Sequence, residues 1–143
     1  MAIYHMQAKV ISRGSGRSAV AASAYMSCSR MYNDYDGIQH DYTRKQGLIY
    51  HEVMLPPMAP SKWNDREQLW NAVEENEKTK DSRLAREFVV ALPVELDKDS
   101  NISLLQDFIY GICPVCLPDA KLFITVPFSF SGRTVRRMCA WGL

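Results

Sequence analysis

The 143-residue sequence contains no run approaching the roughly 18 uncharged apolar residues that a membrane-spanning helix requires, so no span and no membrane partner is expected. Its opening, MAIYHMQAKVIS, lacks a basic stretch followed by an apolar block and does not read as a secretory leader, which makes the cytoplasm the expected compartment. There is no glycine-rich phosphate loop, no internal repeat and no low-complexity tract. Histidine is scarce, with three, and cysteine is limited to Cys28, Cys113, Cys116 and Cys139. The CPVC pair at 113–116 has half-site spacing, but no second CxxC or HxxxH follows to complete the about four ligands of a zinc site. Without a strand-then-helix context it is also a poor redox motif, and two ordinary thiols is the favoured reading.

What is present is the composition of a globular domain, 47% apolar and 23% charged, long enough to bury one core. The net charge of +1 conceals a segregation. Residues 1–50 carry six Lys/Arg against three Asp, residues 51–100 carry seven against eleven acids, and residues 101–143 carry four against two. A basic first third beside an acidic middle fits a nucleic-acid-facing side, and equally an ordinary mixed surface.

Residues 3–12 alternate as a half-buried strand, and the side bearing Tyr4, Met6, Ala8, Val10 and Ser12 is the more apolar, so it is expected to face the core. RGSGRS breaks the strand, with Ser15 or Gly16 as cap for a helix through GRSAVAASAYMSCSRMY. Ala21, Ala24, Cys28 and Met31 repeat at helical spacing and mark its expected buried stripe. Tyr25 lies off that stripe, as a core filler on another face or as a hydroxyl presented to a ligand. Residues 33–47 form a polar loop or short hairpin, and 48–55 a second strand. Ser61 is the expected cap of a long helix over 61–80 that buries Leu69, Trp70 and Val73 and turns Glu74, Glu75 and Lys78 to water. A third strand over 86–96 precedes a helix over 97–111 capped by Asp99 or Ser100. Beyond Tyr110 the texture becomes irregular, with LFITVPFSF strand-like. The order predicts an α+β fold, an antiparallel or mixed sheet with helices packed on one face.

Three stretches, MAIYHMQAKVISRGSGRSAVAASAY, HDYTRKQGLIYHEVMLPPMAP and DREQLWNAVEENEKTKDSRLAREFVVALPVEL, resemble in order and spacing the start of the MobA/MobL family of plasmid relaxases, from Met1 to about Phe108. The resemblance implies a five-stranded antiparallel sheet with the DNA cleft on the face away from the helices. It implies a cytoplasmic enzyme of conjugation and plasmid mobilisation that nicks single-stranded DNA at a transfer origin, through a tyrosine left covalently joined to the 5′ phosphate. It places that nucleophile at Tyr25 and the acidic residue that orients a metal-binding histidine at Glu87, for which a strand-edge ion pair is the ordinary alternative. His5 falls in the IYH opening as a DNA contact or a local hydrogen-bond partner. Arg13, Arg17, Arg44 and Lys45 are phosphate-contact candidates, each also readable as a solvated charge. Tyr4, Tyr32 and Tyr42 are candidates to stack on bases. Accessory mobilisation proteins are implied as further partners.

The family's cofactor, Mg²⁺ or Mn²⁺, requires histidines downstream of about residue 115, and here the last histidine is His51. Cys113 and Cys116 are poor substitutes, because hard cations prefer oxygen and imidazole. No metal ligand is therefore assigned. The likeness fades where the texture breaks, dividing residues 1–110, an incomplete relaxase domain, from residues 111–143, a divergent tail that suggests a frameshift or recombination. The expectation is an impaired enzyme whose truncated sheet has an open edge and a thin core. The alternative is a non-catalytic remnant that binds single-stranded DNA.

Overall fold

The structure is a computed structural model that describes residues 6–55, 59–93, 95–116, 123–129 and 134–140. Its strands are β1 (Met6–Ser12), β2 (Arg30–Asn33), β3 (Ile38–Asp41), β4 (Leu48–Met54), β5 (Arg83–Ala91), β6 (Phe123–Ser129) and β7 (Thr134–Ala140). Its helices are α1 (Ala19–Ser27), α2 (Arg66–Asn76) and α3 (Lys98–Cys116), with 3-10 turns at Arg13–Ser15 and Ser61–Asn64. Five strands form one sheet in the order β1-β5-β7-β6-β4, antiparallel at every pairing, and β2–β3 form a separate hairpin. The expected α+β fold and antiparallel sheet are present. No helix among the described residues is long and apolar enough to cross a membrane.

The sheet is not missing its strands. The segment read as a divergent tail supplies β6 and β7, which fill the space between β5 and β4 with registers such as Val90↔Val135 and Val53↔Thr125. LFITVPFSF is read correctly as a strand, but its partners lie too far away in sequence for local pattern to reveal them.

Two helices share a face and the third does not. On β4, His51 meets Arg66 of α2, while the neighbouring Glu52 accepts a 2.9 Å hydrogen bond from Gln106 of α3. Successive strand residues point to opposite faces, so α2 and α3 cover opposite sides of the sheet. The core lies mainly under α1 and α2: Ile11, Val20, Ala24, Met31, Trp70, Val73 and Leu84 are all fully or nearly fully buried.

Several local readings are corrected. The buried side of β1 is that of Ile11, whereas Val10 is 45% exposed, because α1 covers the side that is less apolar in composition. Ser18, not Ser15 or Gly16, caps α1 by accepting from the Ala21 amide; Gly16, at φ +73°, closes the preceding turn instead. Helix α1 ends at Ser27, where Cys28 turns left-handed (φ 51°, ψ 40°) and donates to the Ala24 carbonyl, so Met31 and Tyr32 belong to β2. The true buried stripe is Val20, Ser23, Ala24 and Ser27. The helix expected over 61–80 is split: Asp65 adopts an extended conformation and caps α2 through Glu67 N, leaving Ser61 in a 3-10 turn. At α3, Asp97 takes the capping role expected of Asp99 or Ser100, its carbonyl accepting from Asn101 N, and hydrogen bonding from Ser100 lowers the pKa of its carboxyl.

Candidate active site

Position in the fold begins with one buried carboxylate. Glu74, 3% exposed, reaches from α2 to the start of α1, where Oε1 accepts from Ser18 Oγ (3.0 Å) and from Ala19 N (2.8 Å). Oε2 accepts from Arg13 Nη2 at 3.0 Å. Asn33 Nδ2, from the hairpin, donates to Ser18 Oγ at 3.1 Å. An acid at a helix N-terminus satisfies an orphan amide and matches the positive end of the helix dipole. Glu74 thus faces the protein rather than water, and no i,i+4 pair with Lys78 forms because α2 stops at Asn76. The amphipathic pattern alone does not reveal this, since the partner, Arg13, lies 61 residues away.

Anchored in this way, α1 turns Tyr25 outward, 38% exposed. The ring of Tyr42 meets it edge-on at 5.4 Å and 89°. Lys45 lies over the same ring, with Nζ 3.9 Å from the centroid, and donates a 3.0 Å hydrogen bond to the Tyr25 carbonyl. Cation–π and edge-to-face contacts of this kind fix a ring without covering it.

Beside Tyr25 opens a cleft of about 340 Å³, lined on the helix side by Gly16, Arg17, Ser18, Ala21, Ala22 and Tyr25, and on the sheet side by Lys9 and Glu87. Lys9 and Glu87 are direct cross-strand partners on β1 and β5. Ala21 and Ala22 keep the walls low, so the small-residue character of α1 makes room for a bulky group at the tyrosine. The cleft lies on the face of the sheet that α1 covers, not on the face that α3 covers.

The candidate residues part company here. Tyr25, Glu87 and Arg17 come together in the cleft. Glu87 is only 6% exposed, and Arg86 beside it on the strand points to the other face, so the charged residue across the ladder on the cleft side is Lys9, with which no ion pair forms. Arg13 does not reach the cleft. Its guanidinium donates to Glu74 and to the carbonyls of Glu74, Glu77 and Thr79 at the end of α2, and stacks 4.0 Å over Tyr35. Lys45 is held against Tyr25, and Arg44 is exposed outside the lining. Tyr32 is exposed on the hairpin, while Tyr42 is engaged with Tyr25. His5 and Tyr4 lie outside the described residues. Lys9 escapes sequence reasoning because the strand gives no hint of what covers its side.

The donor set for a divalent metal is not assembled among the described residues: no group of three or more His, Cys, Asp or Glu side chains converges. His40 is in the hairpin and His51 on edge strand β4, in different sheets. Burial and the adjacent Arg66 guanidinium lower the pKa of His51 from its ordinary 6.5. Arg66 itself, buried and without a carboxylate beside it, falls to about 10. Glu87 is the one carboxylate among the residues lining the cleft, with no histidine beside it, so the described residues do not fit a Mg²⁺ or Mn²⁺ centre.

The family model for MobA/MobL matches residues 17–113. The chain is 46% identical over 120 residues to the conjugal transfer protein TraA of Rhizobium radiobacter, covering 76% of this chain and 11% of that protein. It is 42% identical over 104 residues to the mobilization protein MobL of Acidithiobacillus ferridurans, covering 73% of this chain and 27% of that one. A solved structure from work on the molecular basis of vancomycin resistance transfer in Staphylococcus aureus superimposes with a TM-score of 0.83 at 34% identity, covering 97% of this chain and 70% of that one.

Proposed function

Because the chain belongs to the MobA/MobL family of conjugal transfer and mobilisation proteins, we propose that it is the nucleophile-bearing part of a relaxase that nicks single-stranded plasmid origin DNA. It spans 11–27% of the length of the relatives TraA and MobL, so the reading concerns the strand-breaking step alone. The observation that carries it is the exposed Tyr25, fixed by Lys45 and Tyr42 at the rim of a cleft lined by Lys9, Arg17 and Glu87.

In this reaction Tyr25 Oη attacks the phosphorus of a phosphodiester. An Oη–P bond forms, the P–O3′ bond breaks, and the DNA departs with a free 3′ hydroxyl while its 5′ phosphate stays on the tyrosine. The phenolic proton goes to an acceptor, for which the Glu87 carboxylate lines the same cleft, and the leaving 3′ oxygen takes a proton from solvent. Arg17, on the helix side, opposes the charge of the phosphate. Metal ions stabilise such transition states by several kcal/mol, with about 1.4 kcal/mol for each tenfold in rate. No described donor set holds one, so nicking by this chain alone is slow. Accessory mobilisation proteins are natural partners for the remaining steps.

Incubation with single-stranded origin DNA, followed by a denaturing gel, tests the reading. The expected product is a covalent protein–DNA band that Tyr25→Phe abolishes. DNA binding without any band, with and without added Mg²⁺ or Mn²⁺, favours the binding remnant. A band that persists in Tyr25→Phe removes Tyr25 as nucleophile.

A further inference from the structure

The basic residues near Tyr25 differ in what already occupies them. Arg13 is spent on Glu74 and the carbonyls ending α2, and Lys45 on the ring and carbonyl of Tyr25. Among the described residues Lys9 makes no hydrogen bond or ion pair, though it shares the cleft with Tyr25. Its strand is the sheet edge, and its register partner is the buried Glu87.

The charge of the cleft depends on this one residue. Arg17 and Glu87 cancel, leaving a neutral site, and Lys9 raises the lining charge to +1. A bridging phosphodiester carries a single negative charge, so the lining with Lys9 complements one such group, and without Lys9 it does not. A lysine presents a compact point charge on a flexible stem, suited to one non-bridging oxygen.

Resting on the relaxase reading of the cleft, the geometry points to Lys9 as the residue that binds the phosphodiester presented to Tyr25. Lys9 therefore supplies positive charge at the reacting group where the described residues assemble no metal site.

The experiment is a salt series of fluorescence anisotropy titrations with a short labelled single-stranded oligonucleotide of mixed sequence. Lys9→Gln is expected to weaken binding about tenfold and to reduce the slope of log K against log salt by about 0.7, the value of one phosphate contact on a single strand. Lys9→Arg should restore most of both. Lys62→Gln removes the same charge from an exposed 3-10 turn away from the cleft and should change neither. Equal behaviour of Lys9→Gln and Lys62→Gln overturns the proposal while leaving the relaxase reading in place. Failure of the unsubstituted chain to bind single-stranded DNA overturns both. Lys9 is exposed, so a matching thermal midpoint in the variants excludes misfolding as the cause of any loss.

Discussion

Tyr25 is held by contacts that sequence alone does not connect. Its place in SAYM at the end of a small-residue helix marks it as unusual, and a strand-borne acid at Glu87 is equally legible. The fixing of the ring by Tyr42 and Lys45 comes from the loop before β4, and pattern has no means of folding that loop back. Glu74 is the sharper case, because an acid late in a charged helix has the appearance of a solvated one. Its burial follows from Arg13 and the α1 amide, neither visible from its own helix. Removing one member of a buried ion pair strands the other, at about 3–5 kcal/mol. Glu74→Ala should therefore lower the unfolding free energy by an amount in that range, read as a lower urea midpoint with the slope of the transition unchanged. Glu74→Gln should cost less, since its carbonyl oxygen still accepts from Ala19 N.

Element existence was readable in the periodic segments but not at β7, whose basic TVRRMCA gave no strand reading, and element ends were not. Every long periodic segment became the predicted type, because burial of one face dominates the choice. Boundaries followed local competition for backbone hydrogen bonds. The run SKWNDREQ offers Ser61 and Asp65 as alternative caps, and Asp65 prevails: its side chain reaches Glu67 N and its carbonyl accepts from Leu69 N. A capping side chain contributes about 0.5–2 kcal/mol. Asp65→Ala should cost that much in a thermal or urea melt and Ser61→Ala much less, the reverse of what a helix beginning at Ser61 requires. Similarly, α1 stops where Cys28 turns left-handed, which frees Tyr32 and Asn33 for the hairpin that α2 grips. Asn71 donates to the Tyr32 carbonyl, Glu67 accepts from Tyr32 N, and Asn33 returns to Ser18.

At the scale of the molecule, the α+β class and antiparallel sheet were legible, and the sheet order was not. The match to the family model ends at residue 113, yet the residues beyond it hold the two strands between β5 and β4. Deleting residues 117–143 removes both, exposes the unpaired edges of β4 and β5, and takes away the strand against which α1 rests. That deletion should abolish the cooperative unfolding transition followed by tryptophan fluorescence. A sigmoidal transition in the deleted chain would show that the first 116 residues fold by themselves.

The same strand order carries a consequence for timing. Met54 must find Ile124, and Leu48 must find Ser129, across about half of the polypeptide. Such distant pairings are paid for in chain entropy before they return any stability, and they form late. On a ribosome, β4 emerges early and waits unpartnered, and α1 has no finished floor until β6 and β7 have been made. Tyr25 is thus synthesised well before the strands that complete the floor under its helix, so a half-made chain does not yet present an assembled cleft.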